Sequence, residues 1–236
     1  MSSSNYLWNP PPLPTLAVQG KTARYPVHRI FCVGRNYHAH AVEMGVPVDK
    51  AKARPFYFTK AASTLVESGA TVPYPCATSN YHYEMELVVA IGAPGFRVAA
   101  SAAAGLIYGY AAGLDMTRRD LQLVAREQGR PWDLGKDFES SAVCSAIVPI
   151  GKLGVLDHGP ISLAVNGQTR QAADLSQLIW SIPELIADLS QFYHLQPGDL
   201  IYTGTPEGVG AVQPGDRISG KIDGLAEIAL KVGQPE

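Results

Sequence analysis

Two glutamates one residue apart, Glu84 and Glu86, stand in a run otherwise made of Tyr, Met, Leu and Val. If that run is a strand, residues two apart share a face. Two carboxylates on one face repel each other, and a cation or a pair of bases must offset the repulsion. Hard oxygen donors of this kind suit Mg2+, Mn2+ or Ca2+ rather than zinc. An edge strand with one wet face would carry the same pair without an ion. Asp115 adds weight to a site, because no other carboxylate lies between Glu86 and Asp120. An acid alone in an apolar stretch needs a partner, although Asp115 could instead cap the helix that follows. Together Glu84, Glu86 and Asp115 would supply three ligands of an octahedral site, with open positions for water or substrate.

Two further groups could do chemistry. On a helix, His40 and Glu43 would share a face, and the carboxylate would hold the imidazole in one tautomer. That is a general-base arrangement, but His38 competes by composition and His–Glu pairs on wet helix faces are common. Arg119 and Gln122 repeat the same spacing, and Lys136 follows a loop at residues 129–135. Thr205 lies in Thr-Gly-Thr-Pro-Glu-Gly, residues 203–208, whose glycines let backbone N–H groups approach a ligand. These groups could receive a carboxylate or stabilise an oxyanion. A wet helix face and a plain turn would account for the same residues.

The elements that must position these groups are mostly short strands. Strands are expected at 28–33, 55–60, 81–91 and 108–117, and helices at 37–44, 99–106 and 118–128. In the last of these Leu121, Val124 and Ala125 form the apolar face. Asn166-Gly167 reads as the turn of a hairpin, and Asp223-Gly224 as another. Ser181 to Glu184 is a capping box. The helix it opens carries Ile182, Leu185, Ile186, Leu189, Phe192 and Tyr193 as a stripe. Strands are expected again at 200–203, 217–222 and 225–232. The class is α+β, since the alternation is too irregular for a doubly wound sheet.

Composition sets the limits. At ~150 residues per domain, 236 residues make one large domain or two small ones. Pro10, Pro11, Pro12 and Pro14 favour an extended path, so residues 1–26 read as an arm and 27–236 as one domain. Nineteen basic against 21 acidic residues leave a net charge of −2, which argues against nucleic acid as a partner. The 23 glycines and 18 prolines imply many turns. Three scattered cysteines make neither a disulfide framework nor a zinc knuckle. The start of the chain has no basic region followed by an apolar run, and no stretch is apolar enough to span a membrane, so the cytoplasm is expected.

These constellations occur in a familiar order. The chain resembles the fumarylacetoacetate hydrolase family in its short, single-domain form. The resemblance is carried by residues 32–37 with His40 and Glu43, and by 83–92, 109–122, 131–136, 165–167 and 203–209. Residues 79–84, Ser-Asn-Tyr-His-Tyr-Glu, are similar to the fumarylpyruvate-cleaving members. The chain departs from the family at Thr59 to Ala62, where members often have Lys-Pro, and at His38, where many carry a small or acidic residue.

The resemblance implies a mixed β-sandwich roll with few helices, and a homodimer. It also implies that Glu84, Glu86 and Asp115 hold Mg2+ or Mn2+ and that His40 with Glu43 activates a water. Arg119, Gln122, Lys136 and Thr205 would hold the substrate. The expected reaction is hydrolysis of the C–C bond of an acylpyruvate, with Lys136 and Gln122 stabilising the oxyanion. Arg35, Arg118 and Arg119 are the cations available to a second carboxylate on the acyl half. Decarboxylation of oxaloacetate on the same fold is the alternative reaction, and a non-catalytic protein with a structural cation site is the alternative class.

Overall fold

A computed structural model describes residues 6–235 of the chain. Its centre is a sheet of eight strands. Seven run in the order Tyr57–Lys60, Arg29–Val33, Asp199–Tyr202, Met85–Ile91, Ile107–Asp115, Ala142–Cys144, Leu65–Glu67, and Val148–Pro149 also pairs with Ile107–Asp115. A second sheet of five orders Gln168–Asp174, Pro160–Val165, Arg217–Ile222, Ile228–Pro235, Thr71–Tyr74. A small third sheet pairs Tyr81–Tyr83 with Thr117–Arg118 and Gly210–Val212. Helices are few and short, so the fold is the mixed α+β sandwich expected.

The strand Met85–Ile91 explains the layering. Met85, Leu87, Val89 and Ile91 enter a large core shared with the five-stranded sheet, through Ile161, Leu163, Ile218 and Leu230. Val88 and Ala90 point the other way, into a second core. Alternate residues of one strand thus feed two cores, which is why the run is continuously apolar. Leu16, Val18 and Tyr25 help to close the second core. From about residue 14 the segment read as an arm therefore lies packed on the roll, and Thr15–Leu16 pairs with Tyr25–Pro26.

The tight turns form as read. Asn166 and Gly167 join two strands with φ of 52° and 79°, and the Ser181–Glu184 capping box opens the helix Ile182–Leu189. That helix stops at Leu189, so Phe192 and Tyr193 fall outside its stripe and are exposed. Residues 100–106 form a 3-10 helix. No helix of the described residues is long and apolar enough to cross a membrane.

Candidate active site

The run expected as one strand at 81–91 is two. Tyr81–Tyr83 belongs to the small sheet and Met85–Ile91 to the central one, and Glu84 is the joint between them. There the Asp115 N–H donates to the Glu84 carbonyl at 2.9 Å. Glu84, Glu86 and Asp115 consequently converge by a change of sheet, not along one strand face. They are buried, and each offers an oxygen within 4.8 Å of the others.

Glu86 Oε2 accepts from the Gly204 N–H at 2.7 Å. Gly204 has φ of +102°, and a side chain there would come within 2.7 Å of the Asn36 Cβ, so only glycine lets this N–H reach the acid. The Asn36 side chain locks the loop by donating to the Thr203 carbonyl at 2.8 Å and accepting from the Trp180 N–H at 2.7 Å.

Three bases face the three acids. Lys136 Nζ donates to Glu84 Oε2, Asp115 Oδ2 and Thr117 Oγ1, each at 2.7 Å. Arg119 pairs with Glu84. Lys60 Nζ lies 2.9 Å from Asp115 Oδ1 and donates to the Met116 and Lys136 carbonyls. Lys60 was no candidate in the sequence; its one signal was a lysine closing an aromatic strand. Burial works against ionisation of Glu84, yet the Lys136 and Arg119 cations hold its carboxyl well below the usual carboxylate range. Burial, with the charges of Asp115 and Glu84, pushes Glu86 well above that range. Burial also works against the charge on Lys136, but Asp115 and Glu84 outweigh it and keep the ammonium protonated.

A hard divalent cation fits this donor set. The oxygens are buried and convergent, Glu86 needs a positive neighbour to ionise, and Asp115 Oδ1 receives no well-aligned hydrogen bond.

A pocket opens above Glu84 and Lys136, walled by His40, Arg119 and Gln122. His40 Nδ1 meets Glu43 Oε2 at 3.0 Å, and the Gly208 N–H donates to Glu43 Oε1 at 3.1 Å. His40 is buried, whereas His38 is exposed and faces a different groove with Gln177 and Glu207. The N–H groups of Gly204 and Gly208 thus address the protein's own acids instead of a ligand.

The helix Arg119–Glu127 turns Arg119 and Gln122 inward, and Val124 is exposed. The apolar face expected from Leu121, Val124 and Ala125 is therefore not the buried face. Gln122 Oε1 accepts from Arg119 Nη1 at 3.1 Å, which leaves the amide NH2 for a ligand. The next short helix, Asp133–Lys136, approaches so closely that a side chain at Gly135 would lie 2.7 Å from the Gln122 Cβ. That approach carries Lys136 into the acid cluster. Behind Arg119, His82 accepts on Nδ1 at 3.5 Å, its Nε2 donating to Asn80 at 2.8 Å. Burial and then the Arg119 charge lower His82 to about 4, so it is neutral.

Other candidates part company. Arg35 lines the pocket with its guanidinium 5.7 Å from the Phe56 ring centre. Arg118 turns away and stacks 4.2 Å from the Phe138 ring centre. Thr205 stands off the pocket wall, its hydroxyl held at 2.8 Å by Gln171 Nε2. Arg126 and Trp132 line the pocket and were not candidate site residues in the sequence, although Trp132 lies in the 131–136 stretch that carries the resemblance.

A β-roll that gathers three buried carboxylates under a pocket walled by histidine, arginine and glutamine defines the scaffold of a divalent-metal enzyme. The chain belongs to the fumarylacetoacetate hydrolase family: the family model described as "Fumarylacetoacetate (FAA) hydrolase C-terminal" matches residues 29–233. A fumarylpyruvate hydrolase from Ralstonia sp is 67% identical over 193 residues, 82% of this chain and 100% of that protein. A human mitochondrial oxaloacetate tautomerase is 40% identical over 88% of this chain and 92% of its own. The crystal structure of a fumarylpyruvate hydrolase from Pseudomonas aeruginosa in complex with Mn2+ and pyruvate superposes with a TM-score of 0.93. It has 48% sequence identity and covers 98% of this chain and 100% of that one.

Proposed function

We propose that this protein hydrolyses the C–C bond of fumarylpyruvate to give fumarate and pyruvate. The observation that carries the reading is the meeting, on one pocket, of a buried carboxylate triad and an imidazole held by a carboxylate. The likeness to fumarylpyruvate hydrolases supports the choice of substrate.

Glu84, Glu86 and Asp115 would hold Mg2+ or Mn2+, and when bound the ion supplies Lewis-acid polarisation and charge to offset the enolate of the departing pyruvate. His40, its Nδ1–H donated to Glu43, keeps Nε2 free to take a proton from water. That water attacks the acyl carbonyl. The Gln122 amide donates to the developing oxyanion, and the protonated Lys136, its three N–H groups held by Glu84, Asp115 and Thr117, supports it through its charge. The C–C bond then breaks, its electron pair leaves with the pyruvyl half, and the proton gained by His40 balances the protonation of that half. Arg119 and Arg35 contact substrate carboxylates. Thr205 acts from behind, through Gln171. The reading includes a homodimer, which the family resemblance supports, and the cytoplasm, which suits the free Cys32, Cys76 and Cys144.

Loss of the diketo acid's ultraviolet absorbance tests the reaction. Fumarylpyruvate should be consumed, a chelator should stop turnover while the protein stays folded, and Mg2+ or Mn2+ should restore it. Full activity in chelator would overturn the metal reading. The oxaloacetate tautomerases among the relatives favour a second reading, keto–enol conversion of oxaloacetate. It needs no attacking water but still moves a proton between carbon and oxygen, so His40→Ala should slow it as well; interconversion of the oxaloacetate keto and enol forms with no C–C cleavage of fumarylpyruvate would favour it.

A further inference from the structure

Within the acid cluster, Lys60, Lys136 and Arg119 are already paired with Glu84 and Asp115. Two more cations line the pocket, Arg35 and Arg126, and among the described residues neither forms an ion pair. Both are half-buried, where a charge is screened less than on an open surface. Arg126 follows Arg119 by seven residues and Gln122 by four, so the three side chains leave one face of the helix Arg119–Glu127. One of its N–H groups is spent: Nη1 donates at 3.0 Å to the carbonyl of Met44, which caps the His38–Glu43 helix. That contact fixes the guanidinium at the pocket wall, and its other donors have no acceptor among the described residues. Arg119 and Lys136 are already committed to Glu84, Gln122, Asp115 and Thr117.

We infer that Arg126, together with Arg35, receives a second carboxylate at the far end of the substrate's acyl half. The ligand class is a 2,4-dioxo acid that ends in a carboxylate, and Arg126 is the residue that selects it over neutral acylpyruvates. A planar fork with free donors matches a carboxylate in a way that a lysine at the same place would not. The inference deepens the hydrolase reading and rests on it.

The test compares Arg126→Ala and Arg126→Lys with the wild type on fumarylpyruvate and on acetylpyruvate, which lacks the distal carboxylate. In Arg126→Ala the loss of kcat/KM on fumarylpyruvate should exceed that on acetylpyruvate by roughly 10- to 150-fold, mostly through KM. Arg126→Lys should recover part of it. Equal losses on both substrates would reduce Arg126 to a tie between two helices, and no loss on either would remove it from the site; both results overturn the inference. A wild type inactive on fumarylpyruvate would instead bring down the hydrolase reading. Calorimetry needs no turnover and separates the two: the wild type should bind fumarate more tightly than crotonate, and Arg126→Ala should lose that preference. A preference that survives the substitution also overturns the inference.

Discussion

The helix Ile182–Leu189 buries Ile182, Leu185, Ile186 and Leu189 against the large core and opens with a capping box. The helix Arg119–Glu127 buries Arg119 and Gln122 and leaves Val124 50% exposed. Both are amphipathic, and they face the protein in opposite senses. A pattern of residue types fixes which side chains share a face, but partners decide which face turns inward. Apolar residues need only other apolar residues. A buried arginine needs an acid waiting for it, and Glu84 is there. One helix therefore packs the core and the other turns polar groups toward the pocket.

Substitutions on the two sides should separate these roles. The largest effect is expected at the pocket wall: His40→Ala should lose ~10²–10⁴-fold in kcat, the usual worth of a general base, with little change in thermal unfolding. His38→Ala, two residues away on another face of the helix and exposed, should keep wild-type kinetics. If His38→Ala is the inactive variant, the assignment of the base is wrong. On the packing side, Leu185→Ala should cost ~2–5 kcal/mol in a denaturant titration while kcat of the folded enzyme holds. A proportional fall in kcat would show that the packing helix also shapes the site.

The carboxylate cluster sharpens the contrast, because burial there raises an acid instead of stabilising a core. Burial, with the charges of Asp115 and Glu84, pushes Glu86 above its unfolded value, so over the pH range where it is protonated a cation must displace a proton to bind there. Cation affinity should therefore rise with pH by about tenfold per unit while Glu86 is protonated, with about one proton released on binding. Calorimetry in buffers of different ionisation enthalpy measures that release, and an affinity flat in pH would exclude Glu86 as a ligand. The smallest effect belongs to the outward face of the site helix. Val124→Ser should stay within ~0.5 kcal/mol and leave the kinetics intact; a large loss would mean that this face is covered by something.

What could be read from the residues alone follows the same division. Asn166-Gly167 and the Ser181–Glu184 box are local signals, complete within four residues, and they formed where expected. The acids Glu84, Glu86 and Asp115 were conspicuous because charge is scarce around them. The break at Glu84 was not legible, since a strand that changes sheets keeps its alternation through the joint. Lys60 and Arg126 were hidden because one lysine or arginine looks like any other until its partners are placed. Arg118 and Arg119, adjacent in the chain, point to an aromatic ring and to an acid respectively. The packed segment at residues 14–26 was concealed by its prolines, which fix an extended backbone but not what the backbone lies against.

The parallel pairing of Arg29–Val33 with Asp199–Tyr202 has a consequence for how the protein is made. The ribosome delivers Glu84 and Glu86 long before the strand that lies beside Met85–Ile91 on that edge. Gly204 and Gly208, whose N–H groups steady Glu86 and Glu43, emerge later still. Until they do, the acids stand in water, where their repulsion costs little. Loop closure over some 170 residues must come first, and such non-local pairing is slow. The charged centre is thus among the last parts of the molecule to be sealed, and a nascent chain that stalls before residue 199 carries the acids of the cluster without the strand that closes over them.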